Sequence, residues 1–146
     1  MANKKHLGIW QKFRQESEVL SGQIINWRRH FHRYPELAFQ EKATSQKIQK
    51  TLKKMKIPFE VCAKTGIVAT LDGEKPGCCA GLRADMDALP VQEETELPFA
   101  SRHPGCMHAC GHDGHMATAL GVAAILARNR RHLFGSIRFI YFEAVE

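Results

Sequence analysis

Apolar residues recur along the first part of the chain at helical spacing. Ile9, Phe13, Leu20, Ile24, Trp27 and Phe31 follow one another at intervals of three, four and seven, which predicts one long amphipathic helix. It ends near Tyr34-Pro35, since proline cannot continue a helix from within. A second helix is predicted from Glu41 to Lys56, with Ile48, Leu52 and Met55 turned inward and Pro58 as its stop. The period then shortens. Phe59 to Cys62, Ile67 to Leu71 and Cys78 to Leu82 are β-prone runs parted by Gly66 and by the turn-forming stretch 72–77, and they predict a meander of strands. Residues 90–111 read as loop. A third helix starts at Asp113 or Gly114 and presents Met116, Ala117, Leu120, Ala123, Ala124 and Ala127 as a small-residue inner face. The continuous apolar run Ile137 to Phe142 predicts a mid-sheet strand buried on both faces. The pattern is that of an α/β protein.

Composition narrows the class. With 44% hydrophobic and 25% charged residues in 146, a disordered chain, a collagen-like repeat and a disulfide scaffold are poor fits. Five cysteines, an odd number that includes the adjacent pair Cys78 and Cys79, suit a reducing compartment, and a cytoplasmic location is expected. No apolar run approaches the roughly 18 residues of a membrane helix, so no membrane partner is expected. The net charge of +6 raises nucleic acid as a partner, but the charge is local. Residues 1–56 hold 13 Lys/Arg against 4 Asp/Glu, and the remainder holds 8 against 11. Spread over two helical patterns, without interleaved aromatics, this reads as solvated helix faces, and no nucleic-acid partner is expected.

The chemistry concentrates in residues 106–115. Cys and His make up 13 of 146 residues, yet this window of ten holds Cys106, His108, Cys110, His112 and His115. Thiolate and imidazole are preferred ligands of zinc and its neighbours, and Cys110 and His112 can point the same way from an extended loop. Asp113 can orient an imidazole or hold a second metal. A plain loop with small, hydrophobic cysteines accounts for the same residues without a metal. His30 and His32, near the end of the first helix, read as cations at a helix C-terminus rather than as ligands. Asp85 and Asp87, directly after a predicted strand, lie where open α/β sheets place ligands; two acids before a loop are as readily solvated as functional.

Three stretches carry a resemblance. Arg28-Arg29-His30-Phe31-His32-Arg33-Tyr34-Pro35-Glu36-Leu37 with Glu41, then Gly81-Leu82-Arg83-Ala84-Asp85-Met86-Asp87-Ala88-Leu89-Pro90, then Met107-His108-Ala109-Cys110-Gly111-His112-Asp113-Gly114-His115 resemble the metal-dependent amidohydrolases of the zinc-exopeptidase type. That family includes N-acyl-L-amino acid amidohydrolase, hippurate hydrolase and auxin-conjugate hydrolase. The resemblance covers about Ile24 to Tyr141 and implies the N-terminal part of a zinc-exopeptidase-like catalytic domain, with helices flanking a mixed sheet. Residues 1–146 are then an incomplete catalytic domain, and the family's dimerisation domain and remaining catalytic half are expected outside them. The resemblance further implies a two-metal site. In it Cys110 bridges the metals, His112 binds one of them, and Asp87 orients the site with Asp85 beside it. The implied reaction is metal-assisted hydrolysis of the amide bond of an N-acyl amino acid or a related conjugate.

The family's Gln-Pro-Ala-Glu-Glu segment supplies a general base and a metal ligand. Here the chain reads Phe142-Glu143-Ala144-Val145-Glu146, which puts Glu146 at the ligand position and Val145 at the general base. Valine cannot accept a proton. The expectation is therefore a truncated family member without catalytic residues of its own. It would hold a divalent metal (zinc, manganese or cobalt) weakly through Cys110, His112 and Glu146, with Asp85, Asp87 and Asp113 in support. Self-association through an exposed sheet edge is expected as well. The competing readings are a small metal-binding module closed by Cys106, His108, Cys110 and His112, and a basic nucleic-acid-binding protein.

Overall fold

The computed structural model describes residues 4–142. They form α1 (Lys4–Arg33), α2 (Lys42–Lys54), β1 (Phe59–Cys62), β2 (Gly66–Asp72), β3 (Lys75–Asp85), α3 (His112–Arg128) and β4 (Phe134–Phe142), with a short 3-10 turn before β4. The first helix matches its apolar stripe. The second ends at Lys54, and Lys56 adopts a positive φ of 57°, so the backbone leaves the helix before Pro58 acts.

The strands do not form a meander. Their order is β1-β2-β4-β3: β1 and β2 make an antiparallel hairpin, β4 runs antiparallel to β2, and β3 runs parallel to β4. The reason lies in the connection. A parallel pair needs a long crossover, and the segment from β3 through α3 to β4 supplies one, so β4 inserts between its two neighbours. It is central, as its apolar run predicts, but it is not buried on both faces. Phe139 and Tyr141 are fully enclosed, while Ile140 and Phe142 remain half-buried. Among the described residues, β1 and β3 are the outer strands of the sheet.

All three helices feed one core. Phe31 of α1, Ile48 and Leu52 of α2, and Met116 and Leu120 of α3 pack on the sheet face that carries Ile67, Ala69, Leu71, Phe139 and Tyr141. Each large side chain enclosed there contributes about 1.5–3 kcal/mol. The small residues of α3 allow a close approach: a Cβ on Gly121 would come within 2.7 Å of Ile24. Two carboxylates of the first motif serve the fold. Glu36 accepts hydrogen bonds from the amides of Ala43 and Thr44 at 3.1 and 2.8 Å, satisfying free donors at the start of α2. Glu41, fully buried, accepts from the Phe39 amide and the Thr65 hydroxyl, both at 3.0 Å.

Candidate metal centre

The C-terminal end of β3 delivers the acidic segment, and backbone bonds fix its course. The Met86 amide donates to Phe142 O at 2.9 Å, the Ala88 amide to Glu36 O at 2.8 Å, and Leu89 exchanges two bonds with Met107 across the loop. Opposite it, Gly111 turns the chain into α3 with φ 88°, a conformation glycine adopts without a Cβ penalty. The amides of Gly114 and His115 close that turn onto Gly111 O.

His112 is the first helical residue and is buried. Its Nδ1 lies 2.9 Å from Asp87 O and 3.1 Å from Asp87 Oδ1. Both partners are acceptors, so Nδ1 carries the proton and Nε2 is left as an acceptor. The ligand atoms of Asp85, His112 and His115 lie within 4.8 Å of one another, and the two imidazole centroids are 5.4 Å apart. Asp85 also accepts from Arg83 Nε at 2.8 Å. Beside this cluster opens a pocket of about 540 Å³, lined in part by Leu82, Arg83, Thr118 and Ala119.

A second buried network stands behind the first. Asp113 accepts from Arg28 Nε at 3.2 Å and faces His32 Nδ1 at 2.8 Å. The other nitrogen of His32 lies 3.1 Å from Glu93. Burial works against ionisation of Glu93, but hydrogen bonds from Thr95, the Ser101 amide and His32 outweigh it and hold the carboxyl below its ordinary value. This chain of contacts joins α1, the loop 90–111 and α3. His108 lies among these groups, 4% exposed, with neither ring nitrogen hydrogen-bonded among the described residues. Burial lowers its pKa to about 4 against the opposing pull of Asp113, which keeps the imidazole neutral.

The sequence-predicted residues distribute unevenly. Asp85, Asp87 and His112 come together. Asp113 adjoins His112 in sequence but serves the His32 and Arg28 network. Cys110 is exposed in the turn before α3, and Glu146 lies outside the described residues, as do Val145 and Glu143. Cys106 is buried, and burial followed by the charge of Glu36 pushes its thiol pKa up. Among the described residues, Cys106, His108, Cys110 and His112 do not gather into a shared four-ligand site. His32 is not a solvated C-terminal cation but an enclosed bridge between two carboxylates. His115 and Arg28 stand in the sequence motifs without an assigned role, and Glu93 stands in none of them.

Residues 81–144 match the family described as Peptidase family M20/M25/M40. The similarity extends beyond that stretch to the N-terminal portion of curated relatives. An N-acyl-L-amino acid amidohydrolase of Geobacillus stearothermophilus is 48% identical over 124 residues, which cover 84% of this chain and 34% of the relative. An N-acetyl-L-cysteine deacetylase of Bacillus subtilis is also 48% identical, over 88% of this chain and 31% of its own. Among solved structures, a dinuclear metal-binding peptidase from the M20 family of Bacillus subtilis superposes with a TM-score of 0.81 at 44% identity, covering 85% of this chain and 35% of that one. A putative aminohydrolase from methicillin-resistant Staphylococcus aureus gives 0.85 at 38% identity, covering 90% and 35%. The chain thus spans about a third of the length of the M20 relatives it matches. The α/β architecture with a mixed four-stranded sheet is that of M20 catalytic domains. Among the described residues, no helix is long and apolar enough to cross a membrane.

Proposed function

We propose that this chain forms the N-terminal, metal-binding part of an amidohydrolase that cleaves the amide bond of N-acyl amino acids or related conjugates. The observation that carries the reading is His112, whose Nδ1 is committed to Asp87 while its Nε2 stays open beside Asp85 and His115. A histidine so held by a carboxylate is the usual arrangement of a metal ligand. The donors fit a divalent cation: an open imidazole nitrogen, a carboxylate and a second imidazole lie within reach of one ion, with the Cys110 thiol two residues away in the chain. Thiolate and imidazole favour zinc, and the carboxylate admits harder ions such as manganese. The names of the relatives supply the substrate class.

In this reading Cys110, His112 and Glu146 hold the metal, and Asp87 fixes the tautomer and orientation of His112. Asp85 shares the cluster, and Asp113 anchors the start of α3 to α1 through Arg28 and His32. A cation bound there would supply Lewis acidity toward an amide carbonyl and its attacking water. Residues 1–146 on their own hold the metal weakly and do not turn over, because Val145 occupies the general-base register and general acid–base help is worth ~10²–10⁴-fold. Five free cysteines support a cytoplasmic setting. The exposed outer edge of β3 supports self-association of this chain.

The test is an assay of residues 1–146 on N-acetyl amino acids with zinc, manganese or cobalt added. No hydrolysis above the metal blank is expected. Turnover that disappears in His112→Ala would overturn the assignment of inactivity.

A further inference from the structure

On the far side of the helical layer, α1, α2 and α3 frame an open groove of about 750 Å³, within the roughly 300–1,000 Å³ of ligand sites. The apolar part of its lining is Leu20, Trp27, Met55, Ala124 and Ala127, alongside the polar Gln23, Asn26 and Thr51. Lys47, Lys50, Lys54 and Arg128 line it, and no carboxylate does. Among the described residues none of these four cations enters an ion pair.

The charge is not that of an ordinary solvated face. The helix Lys42–Lys54 contains five lysines and no acid. Lys47, Lys50 and Lys54 stand at i, i+3 and i+7, so each repels its neighbour on the same face, an arrangement that destabilises a helix until an anion relieves it. His30 lines the same groove, and its pKa is lowered by burial and then by Lys47 and Arg33; the positive field reaches the groove's interior. Apolar and cationic side chains together select for a ligand with one part of each kind.

We propose that this groove binds an anionic amphiphile, with its apolar chain along Leu20, Trp27 and Met55 and its carboxylate or phosphate head among Lys47, Lys50 and Lys54. The apolar side chains and the cations beside them, none in an ion pair among the described residues, carry the assignment together. A nucleic-acid track would want a row of stacking aromatics, and Trp27 is the one indole or phenyl ring here. From Leu20 to Trp27 the lining runs about 10 Å along α1, seven residues at 1.5 Å each, which suits a chain of medium length. The proposal stands independently of the metal centre.

Trp27 is its reporter. Trp10, 67% exposed, is replaced in a Trp10→Phe background, and the remaining emission is titrated with decanoate, decyl phosphate, decyltrimethylammonium and inorganic phosphate. Decanoate and decyl phosphate should shift the emission saturably, and the tighter of the two names the head group. Lys50→Gln with Lys54→Gln should weaken both by at least about tenfold, the effect of losing one to two charge-assisted contacts. Lys50→Arg with Lys54→Arg should restore binding, and Cys110→Ala should leave it unchanged. Three results would each overturn the proposal: equal binding of decyltrimethylammonium, indifference to the glutamine substitutions, or inorganic phosphate binding as tightly as decyl phosphate.

Discussion

Asp87 does for His112 what no other described residue can: its carbonyl and its carboxylate both accept from one ring nitrogen. In the proposed site, substituting it therefore acts on a bound metal through the imidazole. Asp87→Ala is expected to lower the affinity for added zinc about 10–100-fold, the usual cost of removing such a partner. Asp87→Asn, which keeps a side-chain oxygen as acceptor, should lose less; competition against a chromophoric chelator measures both. If Asp87→Ala binds zinc as tightly as the parent chain, the carboxylate is not the orienting group. At this scale the sequence was legible where a motif named a residue type next to the end of a strand or the start of a helix, as with Asp85, Asp87 and His112. It was less legible for His115. Placing the start of the third helix at Asp113 or Gly114 left His112 in the loop; with α3 beginning at His112, the two histidines stand at i, i+3 and face one another. His32 and Glu93 are 61 residues apart, and nothing local signals that they meet.

The helices were readable from their apolar stripes because an amphipathic period is a property of one segment. Strand order is a property of several. β1, β2 and β3 each show strand composition, yet only the α3 crossover decides that β4 enters between β2 and β3. The close junction of β3 and β4 gives this arrangement a testable weak point. Gly135 has φ 75°, and a Cβ there would lie 1.9 Å from the Cys78 carbonyl oxygen. Strain at positive φ costs about 1–3 kcal/mol and overpacking a similar amount, so Gly135→Ala should destabilise the chain by roughly 2–5 kcal/mol in urea denaturation. A loss below about 1 kcal/mol would mean that the two strands separate easily and that the register in this stretch is not fixed by backbone contact.

For the molecule as a whole, the outer edge of β3 matters most. Residues from Lys75 to Gly81 are exposed, and an unpaired strand offers its backbone to another chain. Lys75 and Pro76 blunt the beginning of that edge, but Cys78 to Leu82 carry no charge. Sedimentation equilibrium across a wide concentration range should show association, reduced by Ala80→Lys; a monodisperse monomer at every concentration would contradict it. The motifs of the family likeness, the Asp85, His112 and His115 cluster and the acidic segment all converge at the end of β3 and the start of α3. That they converge was visible in three motifs, whereas the distances between their side chains were not.

The proposed binding of a divalent metal by Cys110 and His112 is open to a cadmium titration followed through thiolate-to-metal absorbance. One band assignable to a single protein thiolate is expected, absent in Cys110→Ala, weakened in His112→Ala, and removed by mild chelation. A band of the same intensity and affinity in Cys110→Ala, or none in the parent chain, would contradict it.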